Sequence, residues 1–191
     1  MAPQKPGDSI CPIGAPTMTT IHSFPPIARE DARVLILGSM PGKRSLERTE
    51  YYAHPRNAFW PIAANILGFD VEQDYEARKR ALIQSRAALW DVLRTCTRAT
   101  SLDADIVESS VVANDFAGFL ATHRRIGLIC FNGAKAEQYF VRRVVPALEN
   151  PSHRIETVRL PSTSPAHAAL SFTQKLEIWR KALSFLTESA D

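Results

Sequence analysis

The sequence predicts a three-layer α/β domain, an αβα sandwich around a mainly parallel central sheet. Two short apolar runs, Arg33-Val34-Leu35-Ile36-Leu37-Gly38 and Gly127-Leu128-Ile129-Cys130-Phe131, lack the polar alternation of a half-solvated strand, so both of their faces must be covered. Segments with helical spacing lie between and after them. Each run ends at a glycine or an Asn-Gly turn that opens a polar loop, and in parallel sheets such loops gather at the carboxyl ends of the strands, where a site is expected.

A length of 191 residues suits one domain, and 45% apolar residues supply a single substantial core. Pro3, Pro6, Pro12 and Pro16 fall among Ser, Thr and Gly, so residues 1–21 read as a disordered or loosely docked extension and 22–191 as the domain. Cys11, Cys96 and Cys130 are odd in number and far apart, without the CxxC or Cys/His grouping that a zinc or iron–sulfur site needs. No apolar run approaches the roughly 20 residues that span a bilayer, and the N-terminus lacks the order of a signal peptide. A cytoplasmic protein without a membrane partner is expected, nucleoid-associated if the source is bacterial.

The first run is a strand, and the loop after it, 38–57, is too long to be a minimal connection. A helix follows over 58–67, with Asn57 available as its cap, Pro61 tolerable in its first turn and Gly68 at its end. A second helix covers 75–85 and a short strand 87–93, after which 106–122 reads as mainly helical. The second apolar run is again a strand, breaking at Asn132-Gly133 into a helix over 134–144. Residues 156–160 form another strand and 161–168 a polar loop. In the last helix Ser171 and Gln174 form a capping-box pattern ahead of Phe172, Leu176, Trp179, Leu183 and Leu186 at helical steps.

Two reaction classes fail on spacing. A phosphate-binding loop needs four residues between its glycines and Ser or Thr straight after the lysine, whereas Gly38 and Gly42 enclose three and Arg44 follows Lys43. Ser39 or Ser162 with His54 or His167 would supply a hydrolase's nucleophile and base, but no G-x-S-x-G elbow lifts a serine into an exposed turn.

Taken in order, Leu35-Ile36-Leu37-Gly38-Ser39-Met40-Pro41-Gly42, Ser45-Leu46, Tyr51-Tyr52-Ala53-His54-Pro55-Arg56-Asn57-Ala58-Phe59-Trp60, Leu89-Trp90-Asp91-Val92-Leu93, Cys130-Phe131-Asn132-Gly133 and Leu160-Pro161-Ser162-Thr163-Ser164-Pro165-Ala166 form a pattern. This string resembles the hypoxanthine-DNA (deoxyinosine) glycosylase family of the uracil-DNA glycosylase superfamily, from about Phe24 to Trp179. The resemblance implies a uracil-DNA glycosylase-like fold. It also implies a monomeric enzyme without metal or cofactor that acts on double- or single-stranded DNA containing a deaminated base. Such an enzyme flips the base and hydrolyses its N-glycosidic bond, leaving an abasic site. Hypoxanthine is the expected base; uracil or xanthine, or a catalytically weak domain that binds damaged DNA, are the alternatives.

Uracil-excising relatives carry Asp or Asn before the first-loop proline to position water, where this chain has Met40, a side chain useless for that task. The resemblance moves the catalytic group to Asn57, whose carbonyl would orient water, although Asn57 also reads as a simple helix cap. Phe59 is the implied stacking platform for the base, equally a core residue by its spacing, with Tyr51 and Tyr52 as pocket walls and Ser39 and Met40 beside them. Asn132 offers a donor and an acceptor to a hypoxanthine edge, or serves as a turn residue. Asp91 stands near a base-reading position and would accept from N1–H, or pair with Arg94 or another arginine. Pro41, Gly42 and Lys43 in the first loop and Ser162, Thr163 and Ser164 in the last suit phosphate clamping. Leu160 stands where classical uracil enzymes carry a histidine, and with Met40 it argues against efficient uracil excision. Roles for His54 and His167 stay open.

Lys plus Arg number 23 against 20 Asp plus Glu, a net charge of +3, which excludes a polybasic nucleic-acid binder. The distribution is uneven. Lys43, Arg44, Arg48 and Arg56 flank the first loop and Arg154 and Arg159 precede the last, so a local basic rim around the site is expected.

Overall fold

A computed structural model describes residues 18–148 and 155–186. The elements are β1 (Thr19–His22), β2 (Val34–Gly38), α1 (Lys43–Arg48), α2 (Phe59–Leu67), α3 (Tyr75–Gln84), β3 (Ala87–Asp91), β4 (Leu93–Arg98), β5 (Val112–Ala113), α4 (Phe116–Thr122), β6 (Leu128–Asn132), α5 (Ala134–Tyr139), β7 (Glu156–Leu160) and α6 (Phe172–Leu183). Four strands form the central sheet in the order β3-β2-β6-β7, every pair parallel. Both faces of β2 and β3 are buried along their whole length, as a continuous apolar run demands.

The chain leaves β2 towards β3 and later crosses back to β6 and β7 on the other side. Right-handed crossovers therefore put the helices of the two halves on opposite faces. One layer holds Phe59 and Trp60 of α2 against Trp179 of α6; the other holds Phe116 and Phe119 of α4 and Phe140 against Trp90 and Phe131 of the sheet. The capping box of α6 forms as its sequence requires, with reciprocal bonds between Ser171 and Gln174. Gly68, at φ 74°, ends α2.

Four expectations are corrected. The strand over 87–93 is two strands: Val92 N–H donates to the Gly38 carbonyl and Leu93 N–H to that of Ser39, which turns the chain out of the central sheet. It then enters a separate antiparallel sheet, β1-β4-β5, that the sequence did not announce. The helix over 106–122 exists only as α4, capped by Asp115 through Gly118 N–H, because Val112 and Ala113 pair with β4 instead. Residues 38–57 contain α1, begun at Gly42. Residues 19–21, assigned to the extension, belong to β1 and pair with Arg98, Thr97 and Cys96. Residues 1–17 of that extension, with Cys11, lie outside the described residues, as does Arg154. Cys96 and Cys130 are buried free thiols. Among the described residues no helix is long and apolar enough to cross a membrane.

Candidate active site

β2 and β6 are neighbours, yet the chain departs from them in opposite directions, so a crevice opens beyond their carboxyl ends. Gly38 ends one strand and Asn132 the other. A cleft of about 850 Å³ lies there, and the loops after β2, β3, β6 and β7 converge on it. Of the expected site residues, Ser39, Met40, Pro41, Gly42, Lys43, Tyr52, Asn57, Asp91, Asn132, Ser162 and Ser164 all line it.

Phe59 and Thr163 do not. Phe59 is 1% exposed, its ring stacked beneath Tyr52 at 4.3 Å between centroids and edge-on to Trp60 and Trp179. It therefore presents no open face to the cleft. Thr163 is buried because Asn132 consumes it: the Asn132 amide donates to Thr163 Oγ1 and its carbonyl accepts from Thr163 N–H, both at 2.8 Å. Asn132 thus ties the last loop to the end of β6, which leaves one N–H and one lone pair of its side chain for anything else. Gly133 completes the junction at φ 99°, where an added Cβ would sit 2.9 Å from that of Ser162.

Asn57 is not the N-cap expected of it: α2 begins at Phe59 with Ala58 as its N-cap and no side-chain cap bond, and the Asn57 carbonyl instead accepts from Phe59 N–H at 2.9 Å in the turn that leads into the helix, while the side chain faces the cleft with a second lone pair available. The same segment is fastened to the last loop by Ala58 N–H donating to the Thr163 carbonyl. His54 lines the cleft with Nδ1 accepting from Arg56 N–H, and His167 lines it as well.

Asp91 sits at the floor. Burial pushes its carboxyl up to about 7; the Ser23 hydroxyl, donating at 2.8 Å, opposes that rise, the nearby Asp103 carboxylate adds to it and Arg98 lowers it. Asp91 does not pair with Arg94; its acceptors take Ser23 and, at the backbone, the Asn114 amide. The glycine at 38 is required here, since a Cβ would lie 2.4 Å from Asp91 Oδ1 and 2.9 Å from the Tyr52 hydroxyl.

Sequence reasoning missed the residues from the β4–β5 connection. Asp103 accepts from the Ser39 hydroxyl at 2.7 Å, the buried Arg98 guanidinium donates to the Pro41 carbonyl and lies 3.9 Å from Asp103, and Ser101 Oγ accepts from Lys43 N–H. Together they brace the first loop. Nothing local marks them, because Asp103 opens an acidic stretch that reads as a solvated surface. Of the expected basic rim, Lys43 and Arg44 line the cleft and Lys135 joins them, while Arg159 is paired with Glu137 outside it.

A parallel sheet with a loop-built cleft at its switch point is the layout of an α/β protein that takes its ligand beyond the carboxyl ends of the strands. The model of the Uracil DNA glycosylase superfamily matches residues 25–183, the whole sheet and every loop of the cleft. Within that superfamily the chain belongs to the hypoxanthine-DNA glycosylase family. It is 34% identical over 157 residues to a hypoxanthine DNA glycosylase of Methanosarcina acetivorans, covering 82% of this chain and 94% of the relative. A hypoxanthine DNA glycosylase of Methanosarcina barkeri is 35% identical over 119 residues, 62% of this chain and 74% of that one. The fold matches the solution NMR structure of a protein from Methanosarcina acetivorans, described as a candidate uracil DNA glycosylase, with a TM-score of 0.73. Identity there is 31%, over 88% of this chain and 99% of that one.

Proposed function

We propose that this chain is a monofunctional DNA glycosylase that acts as a monomer, removing hypoxanthine from deoxyinosine in DNA and leaving an abasic site. The observation that carries the reading is the placement of Asn57, Asp91 and Asn132 around one cleft at the switch point of the sheet. Family membership supplies the reaction type.

In this reading the glycosidic bond breaks with its electron pair leaving on the base, water adds to the cationic sugar carbon, and the proton that the water gives up ends on the departed base. The free lone pair of Asn57 orients that water, and its turn bond to Phe59 N–H fixes the amide in place. Asp91, when ionised, accepts from hypoxanthine N1–H, and the spare N–H of Asn132 donates to O6. Ser162 and Ser164 with Lys43 hold flanking phosphates. Met40, 7% exposed in the floor, supplies apolar contact and no proton chemistry.

Duplexes carrying deoxyinosine, deoxyuridine or deoxyxanthosine test this. The expected result is base release fastest from deoxyinosine, with strand breaks only after alkali. Breaks without alkali would remove the monofunctional assignment, and release from none of the three would end the glycosylase reading.

A further inference from the structure

We propose that Tyr52 occupies the base subsite of the resting enzyme and must swing out before a flipped base can enter, uncovering Phe59 as the stacking surface. The inference rests on the glycosylase reading above and deepens it.

Tyr52 has the geometry of a bound base. Its ring lies over Phe59 with centroids 4.3 Å apart and planes 30° from parallel, the arrangement an intercalated base would adopt. Its hydroxyl reaches the polar floor, beside Asp91, Asn132 and Gly38, where the edge of a base would be read. Yet that hydroxyl is buried, and its contact with the Asn132 side chain falls short of good hydrogen-bond geometry. A permanent wall residue at such a spot would have its hydroxyl satisfied. A poorly satisfied one, beside an Asn132 whose better bonds go to Thr163, fits a placeholder that a better-matched occupant can displace. The backbone agrees, since Tyr52 is held at φ 54°, a left-handed conformation that a bulky residue adopts only under constraint and loses readily when the constraint is lifted. This arrangement also explains why Phe59 has no open face: the platform is present but covered.

Fluorine NMR reads the motion directly. The chain has four tyrosines, so protein labelled throughout with 3-fluorotyrosine gives four signals, and Tyr52→Phe identifies the one in question. A duplex containing 2′-fluoro-deoxyinosine, which resists cleavage, is expected to move the Tyr52 signal from a buried to a solvent-sensitive position, while an undamaged duplex of the same sequence leaves it in place. A Tyr52 signal that does not respond overturns the proposal.

Tyr52→Ala gives a second arm. Without the competing closed state, the variant is expected to bind the uncleavable duplex about tenfold more tightly, since apparent affinity is reduced by the fraction of enzyme in the competent state. Weaker binding by a variant whose remaining three signals keep their native positions would make Tyr52 the platform itself and overturn the displacement. Base release by the unlabelled enzyme with an unmoved Tyr52 signal rejects the inference alone; no release and no shift with any deaminated duplex reject both readings.

Discussion

Asn57 carries two loads on one amide, the turn bond to Phe59 N–H ahead of α2 and the proposed orientation of water, and substitutions can separate them. Asn57→Ala loses both: stability falls by about 1 kcal/mol, as for other lost side chain–backbone hydrogen bonds, while the single-turnover rate on deoxyinosine falls on the order of 100-fold. Asn57→Asp keeps an oxygen able to accept from Phe59 N–H, so its melting temperature stays near that of the parent. A rate for Asn57→Ala within threefold of the parent would leave only the turn bond. Asp91 makes the second residue-scale prediction. Its carboxyl is raised to about 7 in the fold from an ordinary value near 4, so the native state holds a proton that the unfolded state has released between those limits. Its stabilising contribution is full below about pH 4 and lost as pH rises through about 7. Asp91→Asn should therefore raise stability at pH 8 by up to about 4 kcal/mol, read as a higher melting temperature, and change it little at pH 4. Base binding runs the opposite way, strengthening as pH rises through 7 and Asp91 ionises; a pH-independent affinity for the uncleavable inosine duplex would remove Asp91 from recognition. Residue identities at the site were legible from motifs, but environments were not. Asn132 and Asp91 stand at strand ends as expected, whereas the bond that commits Asn132 to Thr163 joins positions 31 residues apart and leaves no local trace.

At the scale of elements, the junction of β6, α5 and the last loop is the tightest point of the site. Gly133 combines a left-handed φ of 99° with Ser162 packed where a Cβ would stand, and its N–H donates to the Leu160 carbonyl at 3.0 Å. Alanine there must either distort the turn or displace the loop that holds Ser162 and Ser164. Gly133→Ala is expected to cost on the order of 1–3 kcal/mol and to lower kcat/KM for inosine DNA by at least tenfold, read by thermal unfolding and base release together. Retained activity at reduced stability would show that the loop gives way without moving its serines. The strands of the central sheet were readable because burial on both faces writes an uninterrupted apolar run. The second sheet was not, since β5 is two residues long and β4 follows β3 after Val92 alone, so one apolar stretch serves two sheets. Apolar residues over 106–122 likewise fit a helical spacing while tertiary pairing with β4 claimed part of them.

For the whole molecule, the net charge of +3 matters less than the few cations that border the cleft. Lys43, Arg44 and Lys135 line it, but Glu47 and Asp103 line it too, and Arg44 is 3.3 Å from Glu47. An enzyme that must scan undamaged DNA and let go needs such a mixed rim, because each neutralised phosphate releases counterions and steepens the salt dependence of binding. With about three phosphate contacts the logarithm of affinity for the uncleavable duplex should fall against the logarithm of salt with a slope near −3, and Lys43→Ala should flatten it by about one. Arg98 stays out of this count, being buried and committed to the Pro41 carbonyl, and so does Arg159, which is paired with Glu137. Fluorescence anisotropy across 50–300 mM salt measures the slope. A value steeper than about −6 would mean that cations remote from the cleft bind DNA as well, and that the rim read from the first loop is a minor part of a larger basic face.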